Sequence, residues 1–272
     1  MRNIPHSFRP RVEALDDRTV PAVVSTFANG TLTLTGDAGD NRVFAGVFGD
    51  TLVVSADGQI QTFANASSLT AVDADLGLGN DRLRVYLGTS VGANEFVAIT
   101  ANDDEGNDRI IVDALALGRN SGLIANIDTG ADDDLVRFNL GVVGRGAVID
   151  ANVNLGDGND VLLWNNFTTG REASVAMDVD AGLGADVVRT RIGKFGLDST
   201  FVGNIDLGTT TGGTGDADVD TLKVSSGALQ STASVTVNVD AQVTAATGAP
   251  ADVIDLTDLN PAVDVNINDL GA

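Results

Sequence analysis

Cysteine is absent from the 272 residues, which excludes disulfides and thiolate metal sites. One histidine, His6, leaves no basis for a histidine-ligated zinc or a histidine-based catalytic pair. Aromatic residues make up only 4% of the chain, and the apolar 43% is mostly Val, Leu, Ile and Ala. The core is therefore built from thin, repetitive side chains. Lysine and glutamate are scarce, with 2 and 4 copies against 14 Arg and 34 Asp. A surface that needed only solubility would use Lys and Glu freely. Asp is short, poor in helices and good in turns. No apolar run approaches the ~18 residues of a membrane span, so no transmembrane segment is expected. Motifs of nucleophile elbows, phosphate loops and zinc-dependent peptidases are missing as well.

What is present is negative charge, −22 in net, and glycine, 32 residues against 5 Pro. Such a chain is repelled by nucleic acid and by anionic membranes. Its composition reads as strands joined by Asp/Gly turns, and a repeat confirms that reading. Gly-x-Gly-x-Asp recurs at Gly77–Asp81, Gly156–Asp160 and Gly182–Asp186, with weaker copies ending at Asp108 and Asp134. The steps between the final aspartates are 27, 26, 26 and 26 residues. Copies with insertions end at Asp220 and Asp252, and a degenerate early copy ends at Asn41.

Offsets from the final Asp are periodic. Two residues on lie Leu83, Ile110, Val136, Leu162, Val188, Leu222 and Ile254. Four on lie Val85, Val112, Phe138, Trp164, Thr190, Val224 and Leu256, with mixed residues such as Arg84, Arg137 and Arg189 between. A period of two marks a half-buried strand. A second strand precedes each turn, with Ala74, Ala101, Ile127, Val153 and Val179 seven residues ahead of the Asp. Stacked at about 4.8 Å per coil, such units make an all-β parallel β-helix or β-solenoid with ~26-residue coils. Residues 31–35, 42–47, 51–55 and 59–63 read as strands with hairpin turns at Gly49-Asp50 and Asp57-Gly58. The expected organisation is a leader over 1–22, an N-terminal β-hairpin cap over 23–66 and the solenoid over 67–272.

The acidic corners carry the only chemistry in the sequence. Six residues before each final Asp stands another polar oxygen: Asp75, Asn102, Asp128, Asn154 and Asp180. Stacked carboxylates repel by roughly 1 kcal/mol per pair in water and by more near protein. A hard cation with 6–8 oxygen ligands removes that repulsion, and Ca²⁺ tolerates irregular geometry better than Mg²⁺. The candidate metal ligands are Asp75, Asp81, Asp108, Asp128, Asp134, Asp160, Asp180 and Asp186. The alternative is a metal-free turn, in which Gly supplies positive φ and Asn and Asp bond to backbone. Arg82, Arg84, Arg109, Arg137 and Arg189 would then neutralise part of the column.

Two resemblances follow from residues already named. Gly77-Leu78-Gly79-Asn80-Asp81-Arg82-Leu83 and its copies at Gly156–Leu162 and Gly182–Val188 resemble the haemolysin-type (RTX) calcium repeat. That likeness implies a secreted β-roll with Ca²⁺ held between coils by Asp81, Asp160 and Asp186, and more weakly by Asp108 and Asp134. The chain departs from the family: the first Gly of the pair is replaced, and the motif comes once per ~26 residues. Residues Phe8–Arg11, Glu13, Leu15–Arg18, Pro21 and Ala22 resemble the N-terminal leader of planctomycete surface proteins, which implies an extracellular or cell-surface location.

The functional expectation is a non-enzymatic structural or adhesion-type solenoid. Its partners would be calcium, a cell-surface polysaccharide or other surface proteins. The alternative is a calcium-dependent polysaccharide lyase or hydrolase, since parallel β-helices host both. With so many aspartates, a carboxylate pair at glycosidase spacing arises by chance. Trp164 falls on an inward column and reads as core; Tyr86 is the other aromatic able to stack on a sugar.

Overall fold

The structure, a computed structural model, describes residues 23–88, 91–210, 214–215, 218–241 and 251–269. The leader resemblance therefore lies outside the described residues. The chain opens with β1 (Val24–Ala28) and β2 (Thr31–Thr35), then β3 (Arg42–Phe48), β4 (Thr51–Ala56) and β5 (Gln59–Ala64). Each later coil contributes two strands: β6 (Ala71–Gly77) and β7 (Arg82–Gly88), β8 (Phe96–Asp103) and β9 (Arg109–Leu117), then β10 (Gly122–Asp128) and β11 (Leu135–Val143). β12 (Val148–Asn154) and β13 (Val161–Thr169) follow, then β14 (Ser174–Asp180) and β15 (Val187–Phe195). β16 (Thr200–Asp206) is separated from β19 (Thr221–Ser226) by a small hairpin of β17 (Thr209–Thr210) and β18 (Thr214–Gly215). β20 (Ser234–Ala241), β21 (Val253–Asp255) and β22 (Val263–Asp269) end the described chain.

Strands that enter the acidic turns form one ten-stranded sheet, here sheet A, in the order β1-β2-β6-β8-β10-β12-β14-β16-β20-β22. Strands that leave the turns form sheet B, β21-β19-β15-β13-β11-β9-β7-β3-β4-β5. Pairing from coil to coil is parallel and in register, as in Leu123↔Ile149 and Val136↔Leu162. This is the parallel β-solenoid that the repeat implies. Among the described residues, antiparallel pairing is confined to the N-terminal hairpins β1/β2 and β3/β4/β5 and to β17/β18. β2 and β3 already pair in parallel with β6 and β7. The first coil thus starts inside the N-terminal stretch, and β1, β4 and β5 close the end that it would otherwise leave unpaired.

Both sheets turn alternate residues toward one continuous core. Val136 and Phe138 are fully buried, while Arg137 between them faces out. Trp164 is completely buried and packs on Phe138 with ring centroids 4.9 Å apart. Tyr86 stacks on Phe48 at 5.4 Å. Five corners are set by a glycine in the left-handed region, Gly77, Gly130, Gly156, Gly182 and Gly208, with φ of 85–89°. A Cβ at Gly156 or Gly182 would overlap the carbonyl oxygen of the glycine one coil earlier, so the corner needs glycine for space as well as for φ.

Candidate functional site

The final aspartates of the repeat point into the protein. Asp81, Asp108, Asp134, Asp160 and Asp186 are 0–3% exposed. Each reaches back one coil, and its Oδ1 accepts the backbone N–H of the preceding rung. Asn41 N–H donates to Asp81 at 2.6 Å, and Asp81, Asp108, Asp134 and Asp160 N–H donate in turn to the next aspartate at 2.7 Å. The ladder crosses the insertions: Asp186 N–H donates to Asp220 at 2.7 Å and Asp220 N–H to Asp252 at 3.1 Å.

One residue earlier, a second ladder runs on the exposed side. Here the earlier coil accepts. Asn107 N–H donates to Asn80 Oδ1 at 3.0 Å, Asp133 N–H to Asn107 at 3.1 Å, Asn159 N–H to Asp133 at 2.8 Å and Ala185 N–H to Asn159 at 3.2 Å. Consecutive residues of the Asn-Asp corner thus bond to opposite neighbours, one outside and one inside. The turn backbone is paired as well, with Ala131 N–H bonded to the Asp104 carbonyl and Leu183 N–H to the Gly156 carbonyl. Isolated parallel bridges Glu105↔Ala131↔Asp157↔Leu183 make the turn a third, short ladder.

Asp75, Asp128 and Asp180, together with Asn102 and Asn154, lie elsewhere. They form an outward column at the end of the sheet A strands, exposed and in register. Asn154 donates its amide to Asp128 at 3.1 Å. A parallel column two residues earlier holds Asn126, Asn152, Asp178, Asn204 and Asn238, with amide bonds from Asn152 to Asn126, Asn204 to Asp178 and Asn238 to Asn204. Together they line a shallow groove of about 770 Å³. The candidate ligands therefore form two columns, one inside and one outside. Among the described residues, no three acidic or histidine side chains converge as a metal cluster.

Sequence reasoning missed Asp103. It is 6% exposed and occupies the inward column otherwise filled by Leu76, Thr129, Leu155, Ala181 and Leu207. The signal was available, as a carboxylate interrupting an apolar column in the single 27-residue coil. β6 and β8 slip in register between Asp75 and Gly77, and a bulge leaves a backbone group unpaired. Asp103 accepts the Leu76 N–H there.

The inner oxygens decide the electrostatics. The Oδ2 atoms of Asp81, Asp103, Asp108 and Asp160 are buried and have no hydrogen-bond partner. Adjacent ionised rungs ~4.8 Å apart repel by about 3–4 kcal/mol at an effective dielectric of 20. Burial, reinforced by neighbouring carboxylates, pushes Asp103 and Asp160 up to about 8 and Asp108 to about 7. Asp81 and Asp134 are pushed up to about 6, again chiefly by burial, against the lowering effect of the N–H bonds they accept. The arginines do not neutralise this column. Arg84 pairs with Asp113 at 2.6 Å, and Arg82, Arg109, Arg137 and Arg189 form no ion pair with it among the described residues.

Those cations have their own distribution. Of the Lys and Arg among the described residues, Arg42, Arg82, Arg84, Arg109, Arg137, Arg189, Arg191, Lys194 and Lys223 all lie on sheet B strands. Arg119, Arg145 and Arg171 sit at the turns that lead into sheet A, and sheet A strands carry none. No protein-family model, curated protein or solved structure matches the chain.

Proposed function

We propose that the chain is a non-catalytic structural solenoid of the cell surface or extracellular space, and that Ca²⁺ neutralises its buried aspartate column. The observation that carries the calcium reading is the set of buried, unpartnered Oδ2 atoms on Asp81, Asp103, Asp108 and Asp160. Asp103 would hold the ion together with Asp108, its strongest charged neighbour. With no preformed cluster of three acids, water and backbone oxygens would complete its shell, an arrangement that Ca²⁺ accepts. Bound calcium supplies positive charge that lets neighbouring rungs ionise together. The likeness of the Gly-x-Gly-Asn-Asp corner to RTX repeats supports the same ion, and the sequence of residues 1–22 supports export. The non-catalytic reading is supported by the regularity of the sheet A groove, where no pair of carboxylates is set apart from its neighbours.

The two opposed Asn and Asp ladders favour a second reading, in which the corner is a metal-free cap and protons neutralise the column. Thermal melts separate the two. With calcium bound, millimolar Ca²⁺ raises the melting temperature over chelator at pH 8 and has little effect at pH 5, where protons already neutralise the column. At 100-fold excess over Kd the gain is about 2.7 kcal/mol. Identical melts in Ca²⁺ and chelator at pH 8 would leave protons as the neutralising charge.

A further inference from the structure

The cation distribution is not what a surface of net charge −22 requires. Charges placed for solubility would be interspersed, and cations meant to offset the aspartates would pair with them. Instead, the sheet B strands carry only two acids, Asp113 and Asp255, and both are already paired, with Arg84 and Lys223. On the same outward face, Arg42, Arg82 and Arg109 stand in register on three successive rungs. Like charges directly opposite one another destabilise a sheet. Asp40 lies near Arg82, but its carboxyl is drawn down chiefly by the Asn80 backbone and side-chain N–H groups and only in smaller part by that guanidinium. These arginines and Arg84 line a cleft of about 750 Å³ floored by Phe44 and Ile111.

The neighbouring column has a different rhythm. Arg84, Ile111, Arg137, Leu163 and Arg189 follow one another in register, so cation and apolar side chain alternate. From Arg84 to Arg189 cations recur every two strand spacings, roughly 9.6 Å, and Lys223 follows Arg189 one spacing on. The Nε of Arg137 is buried and has no partner.

We propose that the outer face of sheet B binds an acidic polysaccharide lying along the solenoid axis. A pyranose unit advances a glycan by about one rung. A carboxylate on alternate units would then meet Arg137 and Arg189 in turn, while the C–H face of the intervening unit rests on Leu163; Arg84 is held by Asp113. Arginine suits this role because its planar fork pairs with carboxylate or sulfate in a bidentate manner. A sparse polyanion is favoured over nucleic acid, which brings one charge per ~1.7 Å of duplex to a protein already strongly negative. A second copy of the chain would bring another −22 to each contact. The aspartates of sheet A do not cancel the site. The exposed aspartates of sheet A lie across the core, at least the ~10 Å spacing of packed sheets away, and face water on the opposite side.

The proposal names a partner for the scaffold but does not rest on calcium, and its test is run in chelator so that the two fail separately. Binding of the full chain to polygalacturonate is measured at 0.15 M salt by affinity electrophoresis and calorimetry, with neutral dextran and duplex DNA as comparators. Polygalacturonate should bind and dextran should not. The pair Arg137→Ser/Arg189→Ser should weaken binding at least tenfold without changing the fold by circular dichroism. The pair Arg82→Ser/Arg109→Ser gives an independent loss should Arg137 prove necessary for folding. Asp178→Ser, on sheet A, should leave binding unchanged. Diluting the salt to 0.01 M extends the Debye length to about 30 Å and should weaken binding, because the whole-protein charge is then felt. Equal affinity for dextran, tighter binding to DNA, or unchanged binding in both arginine pairs would overturn the proposal. So would self-association without polymer that the arginine variants abolish.

Discussion

Two columns that carry aspartate run along this solenoid, six positions apart in the coils without insertions, and they have opposite chemistry. Asp128 and Asp180 stand in water at the end of sheet A, whereas Asp134 and Asp186 point into the protein. The inner carboxylates replace a missing backbone acceptor and are held among apolar neighbours; the outer ones belong to an exposed amide-carboxylate array. The difference shows that the turn, not the residue, sets the role. Left-handed glycines at the corner fix which oxygens enter the core.

The largest effect that separates the columns is pH. Asp81, Asp103, Asp108, Asp134 and Asp160 have folded-state pKa values raised to between about 6 and about 8. The folded protein therefore holds protons that the unfolded chain releases near pH 4. This contribution is complete below that pH and is lost as pH rises through the folded values. In chelator, the melting temperature should fall by roughly 10 °C or more between pH 5 and pH 8. A flat profile would mean that the inner column is not dry.

Substitution gives the next contrast. Asp160→Ala removes the acceptor of the buried Asp134 N–H and should cost about 2–3 kcal/mol. Asp128→Ala, in the outer column, should stay within about 0.5 kcal/mol of the parent. Urea unfolding of both variants measures the pair, and equal losses would erase the distinction. A smaller and opposite effect is expected at Asp103. Asp103→Asn keeps an acceptor for the Leu76 N–H and discards the charge, so in chelator at pH 8 it should stabilise by about 1 kcal/mol. The same change should blunt any response to Ca²⁺. Smallest of all, Thr190→Val replaces a buried hydroxyl that lacks a partner within an apolar column, and should gain up to about 1 kcal/mol in the same melts.

The coil length, the parity of the strands and the burial of Val136, Phe138 and Trp164 were legible in the sequence because a period of two superposed on a period of 26 leaves one consistent register. The acidic corner was legible as a corner, but not as two columns. Counting offsets along a strand assumes alternation, and Gly77, Gly130 and Gly156 break it by turning the chain through positive φ. Asp103 escaped because its role answers a bulge on the preceding coil, a long-range cause with no local motif. The arginines were visible between apolar offsets. Their segregation became apparent only once the strands before and after each turn were assigned to different sheets.

The opposed Asn and Asp ladders act as an indexing pin. From Asn41 to Asp186 each joint between consecutive coils is closed by two short side-chain bonds, such as Asn107 N–H to Asn80 and Asp81 N–H to Asp108; beyond it Ala185 and Val219 offer no acceptor and the inner aspartate bond continues alone. Steps of 40, 34 and 32 residues engage the same inner aspartate bond as steps of 26. Extra chain is therefore free to leave the stack, as the β17/β18 hairpin does, and to change in length without shifting a single rung. Evolution can edit the loops of such a molecule while its ruler stays fixed.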